Sequence, residues 1–495
     1  MSLTESPVAR PSGGGPRFRR PRWFVTLFFT DIWERFSFYG MQAILVLYAA
    51  APVEEGGLGL PRSTAAMLFG IYVGSVFVLA LPGGWVGDCV LGERRAVIWG
   101  GLTIALGHFT MAVPVRDAAY PGLALIAVGT GLLKPNMLAL LSGFYPKGEA
   151  ARREAAISIF YTGIQLSALV APLVTGLVGE RIGWHLGFGV AGVGMVLGVA
   201  QFVVGRRHFG AAGRSPRQPL SEAERRTVIR RVAVAVPVVA LPVVLDVAAG
   251  TFSPMHLAAV FGLVTLIVPF GYVAVLLRDR GWAPAERGRL KAFTWLLLSY
   301  SLFWMLVSQS GSMLALFARH STDRTVAGFT VPAGWFQSAI PFFMLLAAPV
   351  FAALWVRLGK GFGVPAKFAL GMAFAGASFL LMGGVAGAAA DGTKVPLLWL
   401  VAVFFLQACG EIVIGPVAIS TSAEVAPAAF TGRTIGLSWL FSALGAGLGA
   451  QVVHLADVWP DRVYYLVLGG AAAGACAAII LAGGGVRRAL AAPRE

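Results

Sequence analysis

The chain has 495 residues, 57% of them hydrophobic and only 13% charged, with a formal net charge of +16. Soluble domains carry about 25% charged residues, so a water-soluble core-and-surface protein is excluded and the chain reads as a multi-spanning membrane protein. Cys89, Cys409 and Cys476 lie in or beside apolar runs, the six histidines are scattered, and no phosphate-binding glycine loop occurs, so no metal, cofactor or nucleotide chemistry is expected.

A spanning helix needs about 20 predominantly apolar residues. By that measure helices are expected near 23–50, 63–90, 94–115, 119–146, 153–180 and 184–206. The first is interrupted by charge and lacks a small-residue cleavage site, unlike a signal peptide. A polar, Arg-rich stretch follows at 207–230, ending in a capping-box pattern, Ser221 and Glu224, that starts a helix. Two bland helices come next, near 231–249 and 256–278, and are not expected to line a substrate path. The last six lie near 289–318, 334–357, 364–388, 395–424, 432–456 and 463–484. The expected organisation is a tail (1–22), a six-helix bundle (23–206), a linker (207–230), an inserted hairpin (231–278), a second six-helix bundle (279–484) and a tail (485–495).

Loop charges orient these fourteen helices. Arg17, Arg19, Arg20 and Arg22, then Arg94, Arg95, Lys147, Arg152, Arg153, the 206–231 segment, Arg357, Lys360, Arg433, Arg487 and Arg488 fall on one side. The opposite loops hold Glu54, Glu55, Asp117, Glu180, Asp323, Asp391, Asp457 and Asp461. The positive-inside rule puts both termini in the cytoplasm of a cell-membrane protein. The positive balance then reflects orientation and contact with the lipid bilayer, and nucleic acid need not be invoked.

The first helix contains "DIWERFSFYG", residues 31–40, with three formal charges amid apolar flanks. A charge at the centre of a spanning helix costs roughly 2.5–3.5 kcal/mol on insertion scales. Asp31, Glu34, Arg35, Phe38 and Gln42 recur at spacings of three and four and share one face. That face must look at protein, as a helix-locking ion pair, or at a water-filled cavity. Lys134 in "GTGLLKPNMLALL" and Glu411 in "QACGEIVIGPVAIS" are further charges within apolar runs, which favours a solute pathway between the two halves.

"ERFSFYG" resembles the first-helix motif of the proton-dependent oligopeptide transporters, within the major facilitator superfamily. "GGWVGDCVLGERRAVIWGG", "GLLKPN", "FYTGIQLSALVAPLVTG", "FWMLVSQSGSMLALFA", "WFQSAIPFFMLLAAPVFAALW", "GEIVIGPVAISTSAEVAPAAFTG" and "GLSWLFSALGAGLG" extend the likeness across nearly the whole chain. Bacterial members also carry two extra helices between the halves, so the resemblance implies an all-α major facilitator fold of fourteen helices. It implies that Arg35 and Lys134 receive a peptide carboxylate, that Tyr39 bonds the peptide backbone and that Glu411 faces its amino terminus. Asp31 and Glu34 match the proton-handling carboxylates, with Glu411 a further carrier. Trp304 sits where an aromatic lines the pocket, although ordinary core packing explains it equally. Asp88, Arg94 and Arg95 read as a cytoplasmic gate whose charges pair and break, or else as plain topology signals.

The departures are informative. Gln165 and Ile340 stand where the family has asparagines in its substrate pocket, and Ser308 stands for a glutamate that pairs with the helix 4 lysine. Phe38 and Phe77 replace tyrosines, and Gln42 replaces a basic residue. Lys134 must then pair with Glu34, Asp31 or Glu411, stay hydrated, or give up its proton. The expected function is a proton-coupled symporter of di- and tripeptides or peptide-like carboxylates, acting as a monomer by alternating access. The alternative is a proton-linked exporter or facilitator of another small anionic or amphiphilic metabolite. A signalling receptor lacks a sensory domain, and an enzyme lacks a nucleophile–base pair.

Overall fold

A computed structural model describes residues 21–145, 150–251, 253–279, 281–359, 362–425 and 431–491. Arg17, Arg19, Arg20, Lys147 and Lys360, expected in loops, lie outside the described residues, as do the last four residues and the side chain of Arg433. The first half holds α1 (Arg22–Ala50), α2 (Arg62–Val86), α3 (Glu93–Ala112), α4 (Ala119–Gly143), α5 (Ala150–Arg181) and α6 (Trp184–Gly205). Next come α7 (Glu222–Ala248) and α8 (Pro254–Arg278). The second half holds α9 (Pro284–Val307), α10 (Met313–Ser321), α11 (Ala339–Leu358), α12 (Val364–Ala388), α13 (Leu397–Val425), α14 (Thr431–Val452), α15 (Leu455–Val458) and α16 (Asp461–Leu490). Because α10 completes the crossing begun by α9 and α15 is a single turn, these helices make fourteen crossings, in the expected grouping of six, two and six.

Among the described residues, eleven helical segments are apolar and long enough to cross a membrane by length and composition alone. The three crossings that fall short each concentrate charge. Asp31, Glu34 and Arg35 lie within α1, Glu93 to Arg95 open α3, and Glu222 to Arg231 open α7. Helix starts follow local chemistry. Pro21, Pro61 and Pro460 precede α1, α2 and α16 in extended conformation, where a missing N–H costs nothing. The Ser221–Glu224 capping box begins α7 as expected, and the Glu224 carboxyl is held below its usual range by the Ser221 hydroxyl and backbone N–H. At the other end of the chain α16 runs on to Leu490, beyond the helix expected to stop at 484.

Within a bilayer, helices gain little from hiding apolar surface, so close backbone approach at small residues holds them together. Gly83 of α2 lies against the Gly131 carbonyl of α4, and Asn136 Nδ2 donates to the Gly83 carbonyl at 2.9 Å. Gly100 of α3 and Gly129 of α4 face each other's carbonyls in the same way. α8 packs on α14 and α2, with Thr265 against Gly447 and Gln451 Nε2 donating to the Ala258 carbonyl at 2.6 Å. α7 turns Val234, Val238, Leu241 and Val244 outward, and among the described residues none of the hairpin lines the cavity between the two halves. The segment after α10 forms a two-residue hairpin, Thr325–Val326 with Phe329–Thr330, while Thr322–Asp323 pairs in parallel with Val395–Pro396. We call this the far end, and the opposite face the arginine-rich end.

A side chain at Gly83 meets backbone, which cannot yield. Gly83→Val should therefore cost about 1–3 kcal/mol by overpacking, seen as a lowered melting temperature in detergent. Gly474→Ala, at a position with nothing within 4 Å, should leave it unchanged.

Candidate functional site

The charged face of α1 turns inward. Asp31 and Glu34 are buried, Glu34 to 1% exposure. Arg35 Nε lies 3.4 Å from Glu34 Oε2 and 3.7 Å from Asp31 Oδ1, while Lys134 Nζ reaches from α4 to within 3.8 Å of Glu34 Oε1. Two carboxylates and two cations thus balance. The spacing is loose, since neither Glu34 oxygen makes a hydrogen bond. Lys134 also stands 3.4 Å from the centroid of the Phe38 ring, a cation–π contact that shields it on one side. Of the partners open to Lys134, the structure shows Glu34.

One turn along α1 the same face opens onto a cavity between the two halves, with an empty volume of about 950 Å³ including its mouth. Phe38, Tyr39 and Gln42 line it from α1, and Phe69, Val73 and Phe77 from α2. Gln165 of α5, Trp304 of α9, Ile340 and Met344 of α11, Glu411 of α13 and Ser442 of α14 complete most of the wall. Gln165 is fixed by its amide, which donates to the Tyr161 hydroxyl at 3.0 Å and meets Met344 Sδ at 3.3 Å. Glu411 has no hydrogen bond or ion pair among the described residues. Asp31, Glu34, Arg35 and Lys134 lie beside this cavity, toward the arginine-rich end, and are not part of its wall. The arrangement offers a neutral ionic cluster on one half and a lone carboxylate on the other, separated by an aromatic and aliphatic cavity.

The second half contributes a break that sequence periodicity did not reveal. The continuous helix expected over 289–318 is interrupted at Ser308–Gly311, where the backbone tightens, and Ser312 leaves helical geometry at φ −125°, ψ −93°. The run "SQSGS" was the available signal. Ser308, Ser310 and Gly311 line the cavity from this break, and Ser308 Oγ donates to the Met305 carbonyl at 3.0 Å. The buried Gln309 accepts from the Tyr464 hydroxyl at 2.6 Å, tying the break to α16.

The far end is closed by contacts between the halves. Arg62 binds Asp461 through both carboxylate oxygens at 2.9 and 3.0 Å, and Arg319 binds Glu55 at 2.9 Å. Arg324 approaches Glu180 at 3.5 Å, and Glu180 also accepts from the Gly334 amide at 2.7 Å. Trp335 Nε1 and Ser338 Oγ donate to the carbonyls of Leu173 and Leu169. Glu55, Glu180 and Asp461 were read in sequence only as markers of sidedness, because their partners lie on distant loops. At the arginine-rich end, Arg94 does not pair with Asp88. It donates to the carbonyls of Gly210 and Ala212, while Arg217 pairs with Glu93 and Arg95 is exposed.

A family model described as the POT family matches residues 94–467. The di-/tripeptide transporter of Lactococcus lactis subsp. cremoris is 34% identical over 473 residues, 91% of this chain and 93% of that protein. An uncharacterised transporter of Bacillus subtilis, YclF, is 37% identical over 455 residues, 91% of each chain. The crystal structure of a peptide transporter POT in complex with sulfate is 39% identical and superposes with a TM-score of 0.91, covering 96% of each chain. A POT family transporter solved with 5-aminolevulinic acid is 28% identical, with a TM-score of 0.91 over 95% of this chain and 98% of that one.

Partly exposed ion pairs are each worth about 0.2–1 kcal/mol, so removing two should loosen the far end without unfolding the bundles. With Cys89, Cys409 and Cys476 replaced by alanine, Ser310→Cys should react slowly with an impermeant maleimide applied on that side. Adding Arg62→Ala and Arg319→Ala should speed the reaction about two- to thirtyfold.

Proposed function

The chain belongs to the proton-dependent oligopeptide transporter (POT) family and has the major facilitator fold, and on that premise we propose that it carries di- and tripeptides or peptide-like carboxylates together with protons. It is a multi-pass membrane transporter rather than an enzyme. The observation that carries the finer reading is the neutral cluster of Asp31, Glu34, Arg35 and Lys134 beside a cavity whose other wall presents the unpaired Glu411. A zwitterionic peptide fits those two poles, with its carboxylate toward Arg35 and Lys134 and its ammonium toward Glu411. Tyr39 and Gln165 border the space between, and Trp304, Ile340 and Phe77 offer apolar surface to side chains.

Charge balance supplies the coupling. Burying an uncompensated charge costs several kcal/mol. A substrate carboxylate makes the four-charge cluster negative by one, and a proton on Asp31 or Glu34 restores neutrality. Substrate and proton therefore favour each other in the site. Ser308 offers no carboxylate to Lys134, so coupling falls to the α1 carboxylates and Glu411 and is expected to be looser than in relatives with a glutamate there. The arginine-rich end faces the cytoplasm of a plasma membrane in this reading, with both termini inside. Asp88, Arg94 and Arg95 act as a hinge there, the first two bonded to linker residues. One chain contains every element of the site, which suits a monomer. The apolar wall of Phe38, Phe77, Ile340 and Met344 also suits an amphiphilic anion as cargo, which competition by dipeptides in the same uptake assay would separate from peptide transport.

Arg35→Ala and Lys134→Ala should each weaken binding of a free-acid dipeptide by about 2–5 kcal/mol, and binding of its amide far less. Isothermal titration with the acid and amide pair measures the difference, and equal losses would make both cations structural.

Glu34→Gln leaves the cluster with a net positive charge that a substrate carboxylate alone neutralises. Counterflow in proteoliposomes should persist while uptake driven by a pH gradient is lost. Ser308→Glu should sharpen the dependence on the gradient. Intact concentrative uptake in Glu34→Gln would place the proton elsewhere.

A further inference from the structure

Away from the central cavity, at the arginine-rich end, α3, α6 and the segment after it border a second, open hollow with an empty volume of about 980 Å³ including its mouth. Arg94, Arg95, Arg206, Arg207 and Arg214 line it, over a floor of Ile98 and Val203. Arg94 is the fixed member. Its guanidinium donates to the Gly210 carbonyl at 2.7 Å and to that of Ala212, 5.3 Å from the centre of the Phe209 ring. Gly210 and Gly213 adopt φ of +60° and +66°, left-handed turns that bend the segment around this arginine. The other four arginines have no carboxylate partner among the described residues, and the neighbouring Glu93 is taken by Arg217.

Topology signalling needs positive charge on one side of the membrane, but it does not need five guanidinium groups converging on one concave site. Such a gathering raises mutual repulsion that a multivalent anion relieves, and arginine forks match phosphate oxygens. The membrane-facing surface beyond the hollow is apolar. Trp99, Leu102 and Leu106 of α3, with Leu197 and Val204 of α6, are all exposed there. Phosphate chemistry at one end and hydrocarbon chemistry along the adjoining wall define one class of ligand. We propose that this hollow holds the headgroup of an anionic phospholipid, with its acyl chains along the exposed faces of α3 and α6.

The site has a mechanical consequence. The segment that supplies Arg206, Arg207 and Arg214 continues to Arg217 and Gln218, which bond to the Ala139 carbonyl of α4 and the Asp88 carbonyl at the end of α2. A bound headgroup braces this clasp across the ends of α2, α3 and α4.

Native mass spectrometry of the full-length protein with dioleoyl-phosphatidylglycerol and with the corresponding phosphatidylcholine tests the site. Each arginine near an anionic headgroup contributes about a fivefold factor, so Arg206→Ala, Arg207→Ala and Arg214→Ala together should weaken phosphatidylglycerol retention about a hundredfold. The same three positions changed to lysine should keep most of it, which separates lost charge from lost fold. A control triple on α7, Arg225→Ala, Arg226→Ala and Arg230→Ala, should bind like the wild type, and ten-millimolar inorganic phosphate should not displace the lipid. Equal retention of the two lipids, equal loss in both alanine triples, failure of the lysine triple to bind, or displacement by phosphate alone would each overturn the assignment.

Discussion

A charge within a bilayer cannot face lipid, so an ionised group on a spanning helix must look toward a counter-charge or a water-filled cavity inside the protein. That constraint organises the first half of this molecule. Asp31, Glu34 and Arg35 can occupy α1 only because α4 brings Lys134 to complete a neutral set. The set is poised rather than locked, with separations of 3.4–3.8 Å instead of tight hydrogen bonds. A tighter quartet would be more stable and would leave fewer hydrogen-bonding positions open toward the cavity.

The rest of the fold keeps that quartet beside a space which no single bundle could enclose. Glycine contacts pack α2, α3 and α4 into a firm unit, while the inserted hairpin buttresses α14 and α2 from the lipid side. Glu411 apart, the remaining ion pairs among the described residues lie toward the two ends, where water is within reach. The pairs across the far end are partly exposed and weak one by one.

Much of this was legible in the sequence because bilayer chemistry is so restrictive. Apolar length marked out the crossings. Asp31, Glu34, Arg35, Lys134 and Glu411 stood out as charges that lipid would not tolerate, and the structure puts all five at or beside one cavity. What periodicity could not show were features fixed by distant parts of the chain. The partners of Arg62, Arg319 and Arg324 lie 399, 264 and 144 residues away. The break at Ser308–Gly311 hides in a run whose hydropathy is that of an unbroken helix. Arg94 likewise looked like a mate for Asp88, its near neighbour, whereas two linker carbonyls more than a hundred residues on take its hydrogen bonds.

That break divides one crossing into two arms of unequal length. α9 is the long arm, seated among α12, α13, α14 and α16, and α10 is a short arm of nine residues. Its base touches the cavity at Ser308, Ser310 and Gly311, and its tip carries Arg319, which grips Glu55 of the other half. Base and tip are separated by roughly 14 Å at 1.5 Å per helical residue. A tilt of about ten degrees at such a fulcrum swings the tip by about 2 Å, enough to prise open a 2.9 Å contact. The short arm has the proportions of a lever: a small displacement at its base beside the cavity would be magnified at the Arg319–Glu55 contact with the opposite bundle.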